Sequence, residues 1–534
     1  MGQGSPNWAK FRAGFSPSDV TKRVVAAYLS ADRRVLGLFR ICFGLVLLYD
    51  LARRVPEAAR LYSDEGVLSG HFLQSHPQAS PQFSLLFACS SAFEVRLAFA
   101  LIGVVYAAYC LGFCTRVAQL AALICCTSLN SRNLFFEDGG TCTTILLAAW
   151  TSFLPLSDRY SLDALLRDAR ASTIRARVRG RAARQRPFVS LAVLAILLQA
   201  CTIYYFNAAH QTGWTWRHGD AVHLVLWQHR VNTPLAFWLA QHEPSWFSPV
   251  STWLVIRVER LIPLLLLFPV HRLYTRGAAF LAAVALHGGI ALMMTLGPFS
   301  YAMMALMLLC VPGEAIAALG GKIPLMWRYR AARLRALLVT RLARHARKPA
   351  TPREPAGAFR GLMGLREALV LLLIVASAVQ VRVDNPPANA TRRVEQPRLF
   401  RALLMYPRMQ QYWAMFAPDA PSDDGTVVVD AKTASGAHID PFTGAAPDLE
   451  LARRGLTPHP VILSDYLVAM SYGGNRQYDP ELKRYLKNWQ QSDGRSSGDR
   501  LVSFSAWWVS HPSPKRGEVV PGPAVRRLLV RGKL

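Results

Sequence analysis

The chain has 534 residues, with 61 Lys or Arg against 33 Asp or Glu, a formal charge of +28, and 52% hydrophobic residues. A soluble chain this basic would point to nucleic acid, but here the basic residues flank apolar runs and form no face for phosphates, so a nucleic-acid partner is excluded. All nine cysteines precede residue 311 and none has C-x-x-C spacing, so they read as small buried hydrophobes rather than redox or metal motifs.

Residues 1–34 carry a net charge of +4 and are expected to form a cytoplasmic N-terminal segment. The first apolar run has no small-residue cleavage pattern and many similar runs follow it, so no cleavable leader is expected. A helix that crosses the hydrocarbon core needs roughly 17–25 mostly apolar residues. Residues 35–51, 97–113, 187–209, 250–270, 278–296 and 368–381 meet that need, and the shorter runs 117–129, 141–156 and 298–311 bring the expected number of spans to nine (eight to ten). Run as one helix, the 35 residues 278–312 would reach about 52 Å across a core of about 30 Å. Gly297-Pro298 is therefore expected to split them, since proline lacks the donor and clashes with the preceding turn.

With nine spans, all the strongly basic segments fall on one side: 1–34, Arg116, 157–186 at +6, 271–277 at +2 and 313–362 at +9. The opposite loops are near neutral, with 52–95 and 130–140 at −1 each and 207–249 at 0. By the positive-inside tendency this puts the N-terminus in the cytoplasm, in the plasma (inner) membrane, and everything after the ninth span outside or in the periplasm. Residues 35–312 form the first membrane domain, 313–366 a basic cytoplasmic linker, 367–383 the final span and 384–534 an external domain. Within the linker, Leu334, Leu338 and Leu342 recur every four residues between arginines over 330–347. That pattern reads either as an amphipathic helix on anionic lipid or as a solvated connector that enforces topology. In the external part, 426–432 and 437–442 read as a β-hairpin and 479–491 as a helix with proline in its first turn. The expected fold class is thus an all-α polytopic membrane protein with a small external α+β domain.

An ionisable group at mid-membrane costs roughly 2.5–3.5 kcal/mol, so each demands a reason. Glu259 lies midway along 250–270. Arg257, two residues away, is on another helix face, so a donor on a different helix is expected, with Arg40 or His287 as candidates; the plainer reading is a structural ion pair. His287 lies near the midplane, where an imidazole either exchanges a proton near neutral pH or hydrogen-bonds a neighbouring helix. Arg40 is close enough to the inner end of its span to snorkel. Residues 203–226 crowd Tyr205, His210, Trp216 and other aromatics at the outer interface, where such side chains anchor helices. The five histidines between this segment and residue 249 (His210, His218, His223, His229 and His242) match no metal spacing, so no metal site is expected.

The string 204–219, followed by 280–301 with His287 and Phe299-Ser300-Tyr301, resembles the HTTM family, whose membrane domain is shared with vitamin K-dependent gamma-carboxylases. The run 37–51 with 61–68, Arg132-Asn133 with Gly139-Gly140, Phe153-Leu154-Pro155 with Ser161-Leu162-Asp163, and Val258-Glu259 with Pro263 are similar to the family in the same order. Residues 411–425 resemble the tail of its bacterial members. In the carboxylases, a lysine of the fifth-span motif is the base that acts on the reduced quinone; here the lysine pair falls on His210-Gln211. Gln211 cannot take up a proton. His210 can, but with an ordinary pKa of about 6.5 it is a far weaker base than a lysine at about 10.4.

Because these polar groups gather near one depth, the first functional expectation is an enzyme-like, outward-facing membrane site that acts on a lipid, a quinone or an exported polypeptide. His210 would be the proton acceptor, His287 a second acid/base or donor, and Glu259 would orient a partner, with Trp216 and Tyr205 against the bound molecule. The sequence names no cofactor. The alternative is a non-catalytic membrane maturation or immunity factor that binds a secreted partner through its C-terminal domain.

Overall fold

The computed structural model describes residues 17–75, 83–133, 135, 138–171, 173–345, 358–386, 394–451, 459–492 and 500–534. Residues 1–16 of the expected cytoplasmic segment and 346–357 of the basic linker, with Arg347 at the end of the expected amphipathic helix, lie outside the described residues.

Helix α1 (Arg33–Arg54) starts at Asp32, whose carboxylate accepts the Arg34 N–H, and runs on through short turns to Tyr62. Helix α2 (Ala92–Leu111) opens on a reciprocal cap between Ser91 and Glu94 and stops at Gly112, φ +68. Glycine is required there twice over, by the left-handed backbone and because a Cβ would lie 2.1 Å from the Arg40 guanidinium. Helices α3 (Thr115–Arg132) and α4 (Gly139–Thr151) follow, the second capped reciprocally by Asp138 and Thr141. Helix α5 (Leu191–His210) is capped by Ser190, α6 (Phe247–Leu267) carries Pro263, and α7 (Arg272–Met293) is separated from α8 (Phe299–Leu309) by Gly297, φ +56, and Pro298. The break expected at Gly297-Pro298 is therefore present. Helices α9 (Leu325–His345) and α10 (Ala358–Asp384) complete the set.

Each expected span falls on a helix, α1–α8 or α10. By length and composition, five are apolar and long enough to cross a membrane: Arg33–Tyr62, α2, α5, α7 and the described part of α10. Helix α8 joins them only together with Gly313–Lys322, as a pair bent by 98°. The others fall short for visible reasons. Helix α3 carries Gln119, Thr127, Ser128, Asn130 and Ser131 on its buried side, α4 has only 13 residues, and α6 holds Arg257, Glu259 and Arg260. Helices α4 and α8 are almost wholly buried, whereas α2 exposes Leu101 and Val104 and α7 exposes Leu281 and Leu292. Such outward apolar side chains are what lipid solvates.

The C-terminal region forms a four-stranded antiparallel sheet in the order β2-β1-β3-β4. Its strands are β1 (Asp423–Thr433), β2 (His438–Ile439), β3 (Leu501–Pro512) and β4 (Val525–Lys533). The expected hairpin exists but is only two residue pairs deep, Ala431 with Ile439 and Lys432 with His438. The long partner of β1 is β3, with Val428 opposite Trp507, a pairing too distant in sequence for turn signals to reveal. Helix α11 (Val461–Ser471) lies on β1, and α12 (Asp479–Ser492) matches the helix expected at 479–491. One continuous hydrophobic core joins Phe43, Tyr204 and Met303 of the helices to Trp413, Val429, Tyr466 and Phe504 of the C-terminal region.

Candidate functional site

Helix α5 places three polar side chains toward its neighbours at its C-terminal end. Tyr204, Asn207 and Gln211 recur at spacings of three and four residues, which on an α-helix puts them on one face. All three are buried. The Tyr204 hydroxyl lies 2.8 Å from Nε2 of His287 on α7, and the Phe299 ring meets His287 edge-on at 5.4 Å. The His287 Nδ1 is buried with no hydrogen-bond partner among the described residues. Asn207 Nδ2 donates to both oxygens of Glu259 on α6, at 2.9 and 3.0 Å, and the Gln211 side chain lies near the same carboxyl.

Glu259 does reach another helix, but its partner is neither Arg40 nor His287. The Asn207 amide bonds both of its oxygens, and no ion pair involves it among the described residues. Arg40 does not snorkel. It is fully buried and donates to the backbone oxygens of Cys110 and Leu156, each at 3.3 Å, and to Tyr160 O. One acceptor is a free carbonyl of the last turn of α2 and two belong to the loop after α4, so backbone oxygens hold the guanidinium inside the bundle.

His210 ends α5, one turn beyond Asn207. Its Nδ1 faces two backbone oxygens, Phe206 at 2.8 Å and Trp413 at 2.9 Å. Only a proton on Nδ1 satisfies both, so in the neutral ring Nε2 is the nitrogen that keeps its lone pair. Trp413 belongs to a strap, residues 411–420, that leads from the C-terminal region across this end of the bundle. Met415 N donates to Asn207 Oδ1 at 2.9 Å, and the Gln411 and Gln199 side chains bond at 2.9 Å. Asp419 caps the short helix Trp214–His218 through Thr215 N at 2.7 Å. Gly213 is needed beside it, because a Cβ there would fall 2.2 Å from that carboxyl group. Trp216 is buried under the strap, donating to Phe416 O at 2.7 Å, whereas Tyr205 points outward at 58% exposure.

The structure thus gathers Glu259, His287 and His210 around a single helix end, as two separate hydrogen-bonded pairs and a capped imidazole. Trp216 packs under the strap in a separate small cluster with Ala221 and Ala420, and Tyr205 lies on the outer face. Sequence reasoning missed the two residues that organise the site, Tyr204 and Asn207. The signal was available: an asparagine one turn from a tyrosine inside an apolar span needs partners there.

A second polar centre, also not foreseen, lies where the helices meet the C-terminal region. Asp50 of α1 pairs with Arg53 at 2.7 Å and Arg54 at 3.0 Å, and Arg54 continues to Tyr62 at 2.6 Å and Asn130 at 3.0 Å. Asp465 of α11 comes close to this cluster with no hydrogen bond or ion pair of its own among the described residues. Burial, and after it the Asp138 carboxylate, push its pKa up to about 7. Among the described residues no three His, Cys, Asp or Glu side chains gather as a metal site would require.

Apolar helices with polar groups paired across them define a helical integral-membrane protein. The HTTM domain matches residues 28–314, more than half of the chain, and the chain belongs to the HTTM family. Neither the curated proteins nor the solved structures contain a match to it.

Proposed function

We propose that the chain crosses the membrane nine times, with its arginine-rich loops inside and the C-terminal region outside, and that it carries an enzyme-like site at the strap-covered end of α5. Two facts support the topology: every expected span falls on a helix, and the basic loops share one side in a nine-span count. The substrate class is a lipid, a quinone or an exported polypeptide, reached from the outer interface. His210 is the proton acceptor, and the observation that carries the reading is its orientation. With Nδ1 held by two carbonyls, Nε2 carries the lone pair of the neutral ring, at the same end of α5 that holds Glu259 and the Tyr204–His287 pair. Glu259, locked by Asn207, orients the polar part of the bound molecule, and His287 relays a hydrogen bond through Tyr204.

Cells expressing the full chain, His210→Ala or His287→Ala can be compared by mass spectrometry of lipids, quinones and exported proteins. A mass-shifted product that disappears in both variants, with expression and thermal midpoint retained, is the expected result. Unchanged products in both variants remove the enzyme reading.

A second reading rests on β4, which is the sheet's edge strand and is largely exposed. An exposed edge can accept an extended peptide as an added strand, as a maturation or immunity factor with a secreted partner would need. Under this reading the His210 and His287 variants keep their cellular effect, and Leu528→Pro on β4 abolishes it.

A further inference from the structure

On the arginine-rich side, remote from the α5 site, two cavities adjoin. The first, of 410 Å³, is lined by Asp32, Arg34, Arg159, Arg184 and Gln185. The second, of 350 Å³, shares Asp32 and Arg34 with it and continues along Val193, Ile196, Leu197 and Leu309. One end of the combined space is cationic and the other apolar.

The charges at the cationic end do not balance. Arg34 is held by Asp32 at 2.8 Å. Asp168 alone serves Arg181, Arg184 and Arg335, at 2.9, 2.7 and 2.7 Å. Arg159 has no hydrogen bond or ion pair among the described residues, and its Nε is buried without a partner. Its pKa is pressed below the ordinary arginine value by burial, and further by Arg335, Arg184 and Arg34, with Tyr160 opposing. Five guanidiniums thus converge with two carboxylates between them, the arrangement that an added anion relieves. Next to them α9, tied to the cluster by Arg335, exposes Leu325, Trp327 and Leu334 among exposed arginines, as a helix lying on a lipid surface does.

We infer that the two cavities form one binding site for a phosphate-bearing lipid, with the phosphate against Arg159, Arg184 and Arg34 and the hydrocarbon along Val193, Ile196, Leu197 and Leu309. Phosphate is the anion whose several oxygens match planar guanidinium donors. The apolar arm selects the lipid form over the free ion. The remaining acid of the second cavity, Glu314, is exposed; its charge acts on Arg34, which leaves Arg159 as the guanidinium without a carboxylate of its own.

The test is calorimetric titration of the detergent-purified full chain with dioctanoyl phosphatidic acid, dioctanoylglycerol and inorganic phosphate. The phosphatidic acid should bind at least tenfold more tightly than either of the others. Arg159→Ala should weaken it at least tenfold, Arg159→Lys less, and Arg175→Ala, which removes an exposed charge on the same side, not at all. Val193→Phe should weaken the lipid by blocking the apolar arm. Thermal midpoints without ligand show which variants are folded, and Arg159→Lys carries the test if Arg159→Ala is not. Equal binding of dioctanoylglycerol, equal binding of inorganic phosphate, or unchanged affinity in the folded Arg159 variants would each overturn the inference.

Discussion

Asn207 does the work that a counter-cation does in an ordinary buried ion pair. Its amide holds both oxygens of Glu259 while its own oxygen accepts Met415 N from the strap, so one side chain ties α5, α6 and the C-terminal region together. Replacing Asn207 by leucine leaves a buried carboxyl short of two donors and a buried N–H without an acceptor. Each such loss costs about 1–3 kcal/mol, more where a charge is involved, so Asn207→Leu should destabilise the folded chain by about 2–4 kcal/mol. Glu259→Leu in the same background should recover part of that loss, because the orphaned group is gone. The double-mutant cycle in denaturant-unfolding experiments should show coupling of about 1 kcal/mol or more; strictly additive effects would mean that Glu259 does not depend on Asn207. This residue also marks the limit of sequence reading. Glu259 and His287 announced themselves because ionisable groups in lipid demand a reason, whereas a neutral asparagine among aromatics did not, and its partner on the next helix is 52 residues away.

At the scale of elements, helix positions were legible because apolar length and Gly-Pro punctuation are local properties. The strap and the pairing of β1 with β3 were not, since both depend on contacts between distant residues. The loop between α5 and α6 shows the same dependence. His223 on the short helix Ala221–Leu226 meets Glu243 through Nδ1, and its Nε2 lies 2.8 Å from Pro514 O, while Ser248 also bonds Glu243. Both partners of the ring are acceptors, so only the doubly protonated imidazolium satisfies them. Burial opposes that charge, yet the bonds to Glu243 and Pro514, with Asp220 nearby, raise the pKa above 6.5. The folded pKa is raised, so the stabilisation is complete below 6.5 and is lost as pH climbs through the folded value. Hydrogen-exchange protection around residues 512–516 should therefore decline above that pH in the wild type. His223→Gln should have weak protection that does not vary with pH there. A wild-type profile flat from pH 6 to 9 would show that this contact does not titrate.

Across the whole molecule, the C-terminal region and the helices fold as partners rather than as beads on a string. Glu481 accepts Ser69 N at 2.7 Å, Arg484 donates to Asp64 O at 2.7 Å and Gly66 O at 2.6 Å, and Tyr478 meets Phe135 edge-on at 4.8 Å. Asp465 is where this union costs stability. It enters the junction from α11 without a hydrogen bond among the described residues, and burial beside Asp138 lifts its pKa from 3.8 to about 7. An acid with a raised folded pKa keeps its proton in the folded state while the unfolded chain has already released it. Stability therefore falls as pH rises from about 4 to 7 and levels off above, the reverse of a salt-bridged carboxylate. Arg53, Arg54 and Arg230 soften the penalty, and residual solvent access screens it further, so about 1–3 kcal/mol is the reasonable scale. Asp465→Asn keeps the shape and removes the charge. It should raise the thermal midpoint of the detergent-solubilised chain at pH 8 and leave it nearly unchanged at pH 4.5, where the wild-type side chain is already neutral in the fold. An equal gain at both values would place the benefit in packing, and a loss at pH 8 would mean that the carboxylate is held in its charged form by the surrounding arginines.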